Sequence, residues 1–279
     1  MKLHTNYHTH LALCGHAIGT CEDYVLEAIN QGFSILGFSD HGPIPIGFMS
    51  KDEYLDFGLN LQMNEDDFYQ KYLPDCLNVQ KKYSDQIKIF LGVEIEYILG
   101  KEAYFKKLLK DLDYLALGVH YFPSNNRLYN VYYSMNEIQV MDYANEVVRA
   151  LSTNMYTMIT HPDIYLMNYT KNGEHVFDEV AIKAATMIIE ACIKNHVYME
   201  INGSGPRRGE FYNNNQKCYL YPRYEFWKLV EKYPDAMVIF GADAHTPEGL
   251  NDDIIKETLD FASMFQFKLI SEISFKEKP

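Results

Sequence analysis

Leu3-His4-Thr5-Asn6-Tyr7-His8-Thr9-His10 and Ile35-Leu36-Gly37-Phe38-Ser39-Asp40-His41 are the segments whose reading decides the fold. Each is a short strand-like run that ends on residues able to bind a metal or carry a proton. Between them, residues 22–31 have helical spacing that stops at Gly32, a residue free to take the left-handed turn that ends a helix. The order strand, helix, strand is the parallel crossover unit.

The same unit repeats along the chain. Further strands are expected at 87–97, 115–121, 156–160, 197–201 and 236–241, after the first two at 3–8 and 35–39. Helices are expected at 66–83, 102–111, 136–151, 179–195, 224–232 and 249–265, and a last short strand at 269–275. The strands are mostly apolar on both faces, as in a sheet covered by helices. Seven such units can close as a barrel or stay open as a doubly wound sheet. The first strand is not followed by the Gly-x-Gly-x-x-Gly turn of a dinucleotide fold. No low-complexity linker interrupts the chain, so one domain over residues 1–279 is expected. Two connections, 42–65 and 203–223, are long enough to expect a functional role.

Composition narrows the function. With 47% hydrophobic residues, the 279-residue chain has ample material for a core. It has no continuous apolar stretch long enough to span a bilayer and no apolar signal core near Met1, so a cytoplasmic protein without membrane partners is expected. The net charge of −13 repels phosphate backbones, and no Lys/Arg-rich run offsets it, which argues against a nucleic-acid partner. Cys14, Cys21, Cys76, Cys192 and Cys218 are scattered without a Cys-x-x-Cys pair, which argues against a disulfide framework or a thiolate zinc site. Cys14 stands apart because it falls within the first histidine cluster.

The chemistry lies at the strand ends. His8 and His10 close the first strand, with His16 in the loop beyond; Asp40 and His41 close the second; then come Glu94, His120, His161 with Asp163, Glu200 with Asn202, and Asp243 with His245. One histidine at a strand end is usually an ordinary polar residue. Seven at equivalent positions, interleaved with acids, are hard to assign to chance. In an α/β barrel the C-terminal strand ends meet at one mouth, where active sites are built. His8 and His10, two apart on a strand, face the same way. Imidazole and carboxylate donors without thiolate suit zinc, iron or manganese. His4, His175 and His196 lie off this pattern and are assigned to structure or solvent.

The ordered set His-x-His (His8, His10), Gly-His (His16), Ser-Asp-His (Asp40, His41), Gly-Val-Glu (Glu94), Gly-Val-His (His120), Thr-His-Pro-Asp (His161) and Asp-Ala-His (Asp243, His245) resembles the polymerase-and-histidinol-phosphatase family. The resemblance spans residues 3–245 and implies a distorted seven-stranded (β/α)₇ TIM-like barrel with three metal ions. It places one ion on His8, His10, Glu94 and Asp243, a second on Glu94, His120 and His161, and a third on His16, His41 and His245. The segment from Glu200 to Arg207 and Arg208, with Tyr221-Pro222 beyond it, resembles the histidinol-phosphate phosphatase branch of that family, which serves histidine biosynthesis.

The expected reaction is hydrolysis of a small phosphate monoester by a hydroxide bridging two metals. Arg207 and Arg208 are the expected phosphate clamps, because a guanidinium fork matches paired phosphate oxygens. Asp40 and Asp163, next to ligand histidines, are expected to orient an imidazole or move a proton. Phe48, Tyr54 and Phe57 could cover a substrate imidazole, and Asp52, Glu53, Asp56, Glu65 and Asp66 could favour its amino group. A phosphoesterase acting on nucleotides or other esters, or a metal-binding module without turnover, are the alternatives.

Overall fold

The computed structural model describes residues 3–45, 48–49, 52, 55, 62–213 and 216–278. Seven strands stand side by side in chain order: β1 (Thr5–Asn6), β2 (Ile35–Phe38), β3 (Lys88–Ile95), β4 (Tyr114–Leu117), β5 (Met158–Ile159), β6 (Tyr198–Asn202) and β7 (Val238–Gly241). Every neighbouring pair is parallel. A parallel bridge between Thr9 and Ala244 joins the two outer strands and nearly closes the barrel. At this seam a side chain replaces part of the ladder. The Asn6 carbonyl accepts from Ala242 N at 2.8 Å, and its amide donates to Thr9 Oγ1 at 2.6 Å.

A helix follows each strand: α1 (Cys21–Gln31), α2 (Leu73–Lys82), α3 (Glu102–Asp111), α4 (Glu137–Leu151), α5 (Glu179–Lys194), α6 (Tyr224–Val230) and α7 (Asp253–Ala262). Their limits follow local chemistry. Thr20 and Asp23 form a reciprocal capping box at the start of α1, and Gly32 ends it in the left-handed conformation. Asn136 and Asp178 cap α4 and α5 by accepting backbone N–H bonds. The uniform helix expected over 66–83 is instead a short turn, a π-helical stretch at Phe68–Tyr72, and then α2. Pro74 explains the widening: it has no N–H for the preceding turn, and its ring crowds that turn's carbonyl. The helix expected at 249–265 begins later as α7, where the Asp252 side chain accepts from Ile255 N.

Apolar residues form two packed regions. The larger lies between strands and helices and draws on residues from Leu3 to Phe265. The smaller fills the barrel floor, where Tyr7, Ile35, Tyr114, Met158, Tyr198 and Ile239 meet Ile273. The segment expected to be a last strand makes one bridge, Leu269 to Val238, and then runs beneath the barrel as part of that floor. With the N-terminal end plugged, the opposite mouth is left for chemistry. Among the described residues, no helix is long and apolar enough to cross a membrane.

Among the described residues, three antiparallel hairpins rise from the strand connections: Tyr121–Ser124 with Arg127–Asn130, Thr170–Lys171 with Glu174–His175, and Glu210–Asn213 with Gln216–Tyr219. The third occupies the long 203–223 connection, after a 3₁₀ turn at Gly205–Arg208.

Candidate metal centre

The strand ends converge. His8 Nε2 and His10 Nε2 lie 2.9 Å apart, and Asp243 Oδ1 is 3.5 Å from the first and 3.1 Å from the second. Glu94, at the end of β3, occupies the middle of the group. Its Oε2 is 3.6 Å from both of those nitrogens and 3.2 Å from His41 Nδ1, while its Oε1 is 2.9 Å from His161 Nε2 and 3.8 Å from His120 Nε2. His16 and His245 complete the group, with ring centroids 4.9 Å apart and each close to His10. All nine sequence-predicted ligands therefore gather at one mouth. His10 also sits close against His41 and His245, which the sequence reading had grouped with His16. His4 and His196 are exposed, and His175 packs on Phe211, so these three stay outside the group.

The barrel makes room for this crowding. Gly118 lies against Glu94; a Cβ there would fall 2.6 Å from Glu94 Oε1. Thr160 donates its hydroxyl to the same oxygen at 2.6 Å. His161 and Asp243 both take left-handed backbone conformations, φ 31° and 48°, which cost energy in a non-glycine residue. Sequence reasoning missed Glu96, whose Oε1 is 2.9 Å from His120 Nδ1. It left open Glu200, which lies 2.8 Å from His8 Nδ1, and Asn202, which donates to Asp243 Oδ2 at 3.1 Å. The spacing Glu94-x-Glu96 and Glu200-x-Asn202 was the available signal, because residues two apart on a strand share a face.

The electrostatics call for cations. Burial alone raises the carboxyl pKa values of Glu94 and Asp243, but the neighbouring histidines hold both well below the usual carboxylate range. Burial opposes protonation of His8, yet Glu200, Asp243 and Glu94 together raise it to about 10. Burial and the positive neighbour His10 push His245 down to about 3 and His41 well below its ordinary value. Ionised acids thus share a small volume with imidazoles whose protons cannot all be held at once. Glu94 Oε2, Asp40 Oδ2 and His245 Nε2 are buried with no hydrogen-bond partner. Orphaned donor atoms aimed into a cluster of nitrogen and carboxylate ligands fit divalent metal ions. Within the cluster, His8, His10 and Asp243 form one tight triplet, His41, Glu94 and His120 another, and His10, His41 and His245 a third. Cys14 lies within the same distance of His10 and Asp40.

The pocket above is lined by Arg208, Tyr121, Tyr132, Tyr221 and Gln62 as well as by candidate ligands. The two arginines expected as phosphate clamps are placed differently, although both line an adjoining groove with His16, Asp243 and His245. Arg208 reaches over the Tyr132 ring, 5.3 Å from its centroid, at the pocket wall. Arg207 turns to Asp252, with Nη2 2.6 Å from its carboxylate, and lines an adjoining groove. Asp40 is in place beside His10, its Oδ1 3.5 Å from Nδ1, while also accepting from His41 N.

Asp163 departs from expectation. Its carboxylate accepts from Arg223 N at 2.5 Å and from Trp227 Nε1 at 3.1 Å rather than from His161. The left-handed turn at His161 sends the two side chains apart, so Asp163 anchors the segment that precedes α6. Of the aromatic and acidic loop residues, Phe48 packs on the main core, and Tyr54, Phe57, Glu53 and Asp56 lie outside the described residues.

Comparison with known proteins gives a family and a set of relatives. The PHP domain model matches residues 6–204. A Schizosaccharomyces pombe protein named probable histidinol-phosphatase is 26% identical over 277 residues, covering 91% of this chain and 85% of its own. The Bacillus subtilis histidinol-phosphatase is 23% identical over 260 residues, covering 85% and 92%. A Deinococcus radiodurans protein, also named probable histidinol-phosphatase, is 27% identical over 164 residues; the match spans 56% of this chain and 59% of that protein. Among solved structures, the histidinol phosphate phosphatase of Lactococcus lactis, crystallised with zinc, L-histidinol and phosphate, superposes with a TM-score of 0.68. That match is 16% identical in sequence, over 97% of this chain and 96% of the other.

Proposed function

This chain belongs to the PHP domain family, and from that premise we propose that it hydrolyses L-histidinol phosphate to L-histidinol and phosphate. The observation that carries the proposal is the convergence of seven imidazoles, Glu94 and Asp243 at one barrel mouth, with Arg208 on its wall. The names of the relatives point to the same ester.

We assign His8, His10, Glu94 and Asp243 to one ion, Glu94, His120 and His161 to a second, and His16, His41 and His245 to a third, drawn from zinc, iron or manganese. When bound, such ions supply Lewis acidity and make hydroxide available near neutral pH. The chain's own groups do the rest. Glu94 and Asp243 stay ionised, so their oxygens remain available as ligands. Asp40 restrains the His10 ring. Arg208 pairs with phosphate oxygens and orients the ester within a pocket whose wall also carries Tyr121, Tyr132 and Tyr221. In the overall reaction the ester P–O bond breaks, the oxygen of water joins phosphorus, and the departing alkoxide takes up a proton.

The test is a substrate panel. Metal-loaded protein is incubated with L-histidinol phosphate, nucleoside monophosphates, simple alkyl monoesters and a diester, and kcat/KM is compared. The proposal expects histidinol phosphate to lead by at least about tenfold, a difference of about 1.4 kcal/mol in transition-state binding. Equal or better turnover of a nucleotide or diester would overturn it.

A further inference from the structure

Below the candidate ligands is a second tier of polar side chains that the reaction itself does not use. Both oxygens of Glu200 face His8 Nδ1, at 2.8 and 3.0 Å. A carboxylate only accepts, so Nδ1 carries a hydrogen, and the other nitrogen, Nε2, is the one turned toward Asp243 and Glu94. Glu200 Oε1 also accepts from Asn202 Nδ2 at 3.0 Å, and the same amide nitrogen donates to Asp243 Oδ2 at 3.1 Å.

The amide cannot be reversed without loss. Ser204 N donates to Asn202 Oδ1 at 3.0 Å, so the NH₂ end must face the two carboxylates. The result is a closed chain, His8 to Glu200 to Asn202 to Asp243, which ties a ligand from the β1 end to one from the β7 end through β6. His8, Glu200 and Asn202 are fully buried, and Asp243 is 8% exposed. The space is reserved for it: a Cβ on Gly241 would lie 2.5 Å from Glu200 Oε1.

We infer that Glu200 and Asn202 are positioning residues that set the ligand form of His8 and the direction of Asp243, and so determine how tightly the first metal is held. This rests on the reading of the cluster as a metal centre. Glu200 fixes which ring nitrogen of His8 faces the ion and raises its basicity. Asn202 occupies one oxygen of Asp243 and leaves Oδ1 toward His8 and His10. Losing such a partner costs about 10–100-fold in metal affinity in comparable sites.

The experiment compares wild type, Glu200→Gln and Asn202→Ser as purified, metal-stripped proteins. Zinc is titrated against a chromophoric chelator, cobalt-loaded samples give visible spectra, and far-UV circular dichroism checks the fold. Glu200→Gln keeps the volume and removes the charge. Asn202→Ser frees Asp243 while leaving Glu200 on His8, and it carries the comparison if the first variant does not fold. One class of zinc site weakened by about 10–100-fold, with an altered cobalt spectrum and an intact fold, is the expected result. Wild-type zinc affinity and cobalt spectrum in the folded variants would overturn the inference alone. A wild-type protein that holds none of zinc, cobalt, iron or manganese would instead remove the metal-centre reading, and this inference with it.

Discussion

Gly118 and Arg208 show how single positions control the site. A methyl group at position 118 would fall against the Glu94 carboxylate, the residue nearest the middle of the cluster. Gly118→Ala is therefore expected to lower turnover by about 100-fold or more, within the range for disturbed ligand geometry, with little change in the circular dichroism spectrum. The two arginines should separate in kinetics. Arg208→Ala is expected to lower kcat/KM by about 10–100-fold, because it removes a charged bond to phosphate. Arg207→Ala should change it less than about threefold, since its partner Asp252 lies outside the main pocket and exposed ion pairs contribute little. The positions of His8, His10, Glu94 and Asp243 were legible because their residue types recur at strand ends. The contrast between Arg207 and Arg208 was not, because a 3₁₀ turn points neighbours in different directions. Asp163 bonds to Arg223 N and Trp227 Nε1, partners that adjacency to the left-handed His161 does not reveal.

The helices were more legible than the strands. Helix α3 occupies the expected residues, and α1, α4 and α5 differ by a residue at one end, because caps and apolar spacing mark helix limits locally. Strands β1 and β5 have only two residues in regular pairing each, although flanking residues such as Thr9, Thr157 and Thr160 still bond to neighbouring strands, an irregularity that periodicity does not reveal. The hairpin beginning at Tyr121 was hidden for a related reason: the apolar run of β4 continues into it. Helix α4 also carries a buried acid. Glu146 is 4% exposed, and burial raises its pKa despite Arg149 Nη1 at 2.8 Å. A carboxyl raised on folding supports the folded state fully below its unfolded pKa, about 4.3, and that support is lost as pH climbs through the folded value. Glu146→Gln should accordingly melt above wild type at pH 7, with the gap closing towards pH 4 in a thermal-melt series. A constant gap across that range would contradict the assignment.

The molecule as a whole is a barrel closed at one end so that it can be chemically open at the other. Ile273 is 9% exposed, and Phe275 stacks edge-on to Phe90 at 4.5 Å beneath Tyr7 and Tyr114. Deleting residues 270–279 uncovers that floor and is expected to cost about 2–5 kcal/mol of stability by denaturant titration, the range for losing large core side chains. The seven-unit barrel was readable from alternation together with the family resemblance; its floor was not, because a segment with one bridge and scattered apolar residues looks like an edge strand. The most direct test is phosphate release from L-histidinol phosphate, measured before chelation, after chelation and after zinc, iron or manganese is returned. Activity should disappear with the metal and come back with it, while the metal-free protein stays folded. Unchanged hydrolysis by thoroughly stripped protein would contradict the claim that the strand-end histidines and acids work as one metal centre.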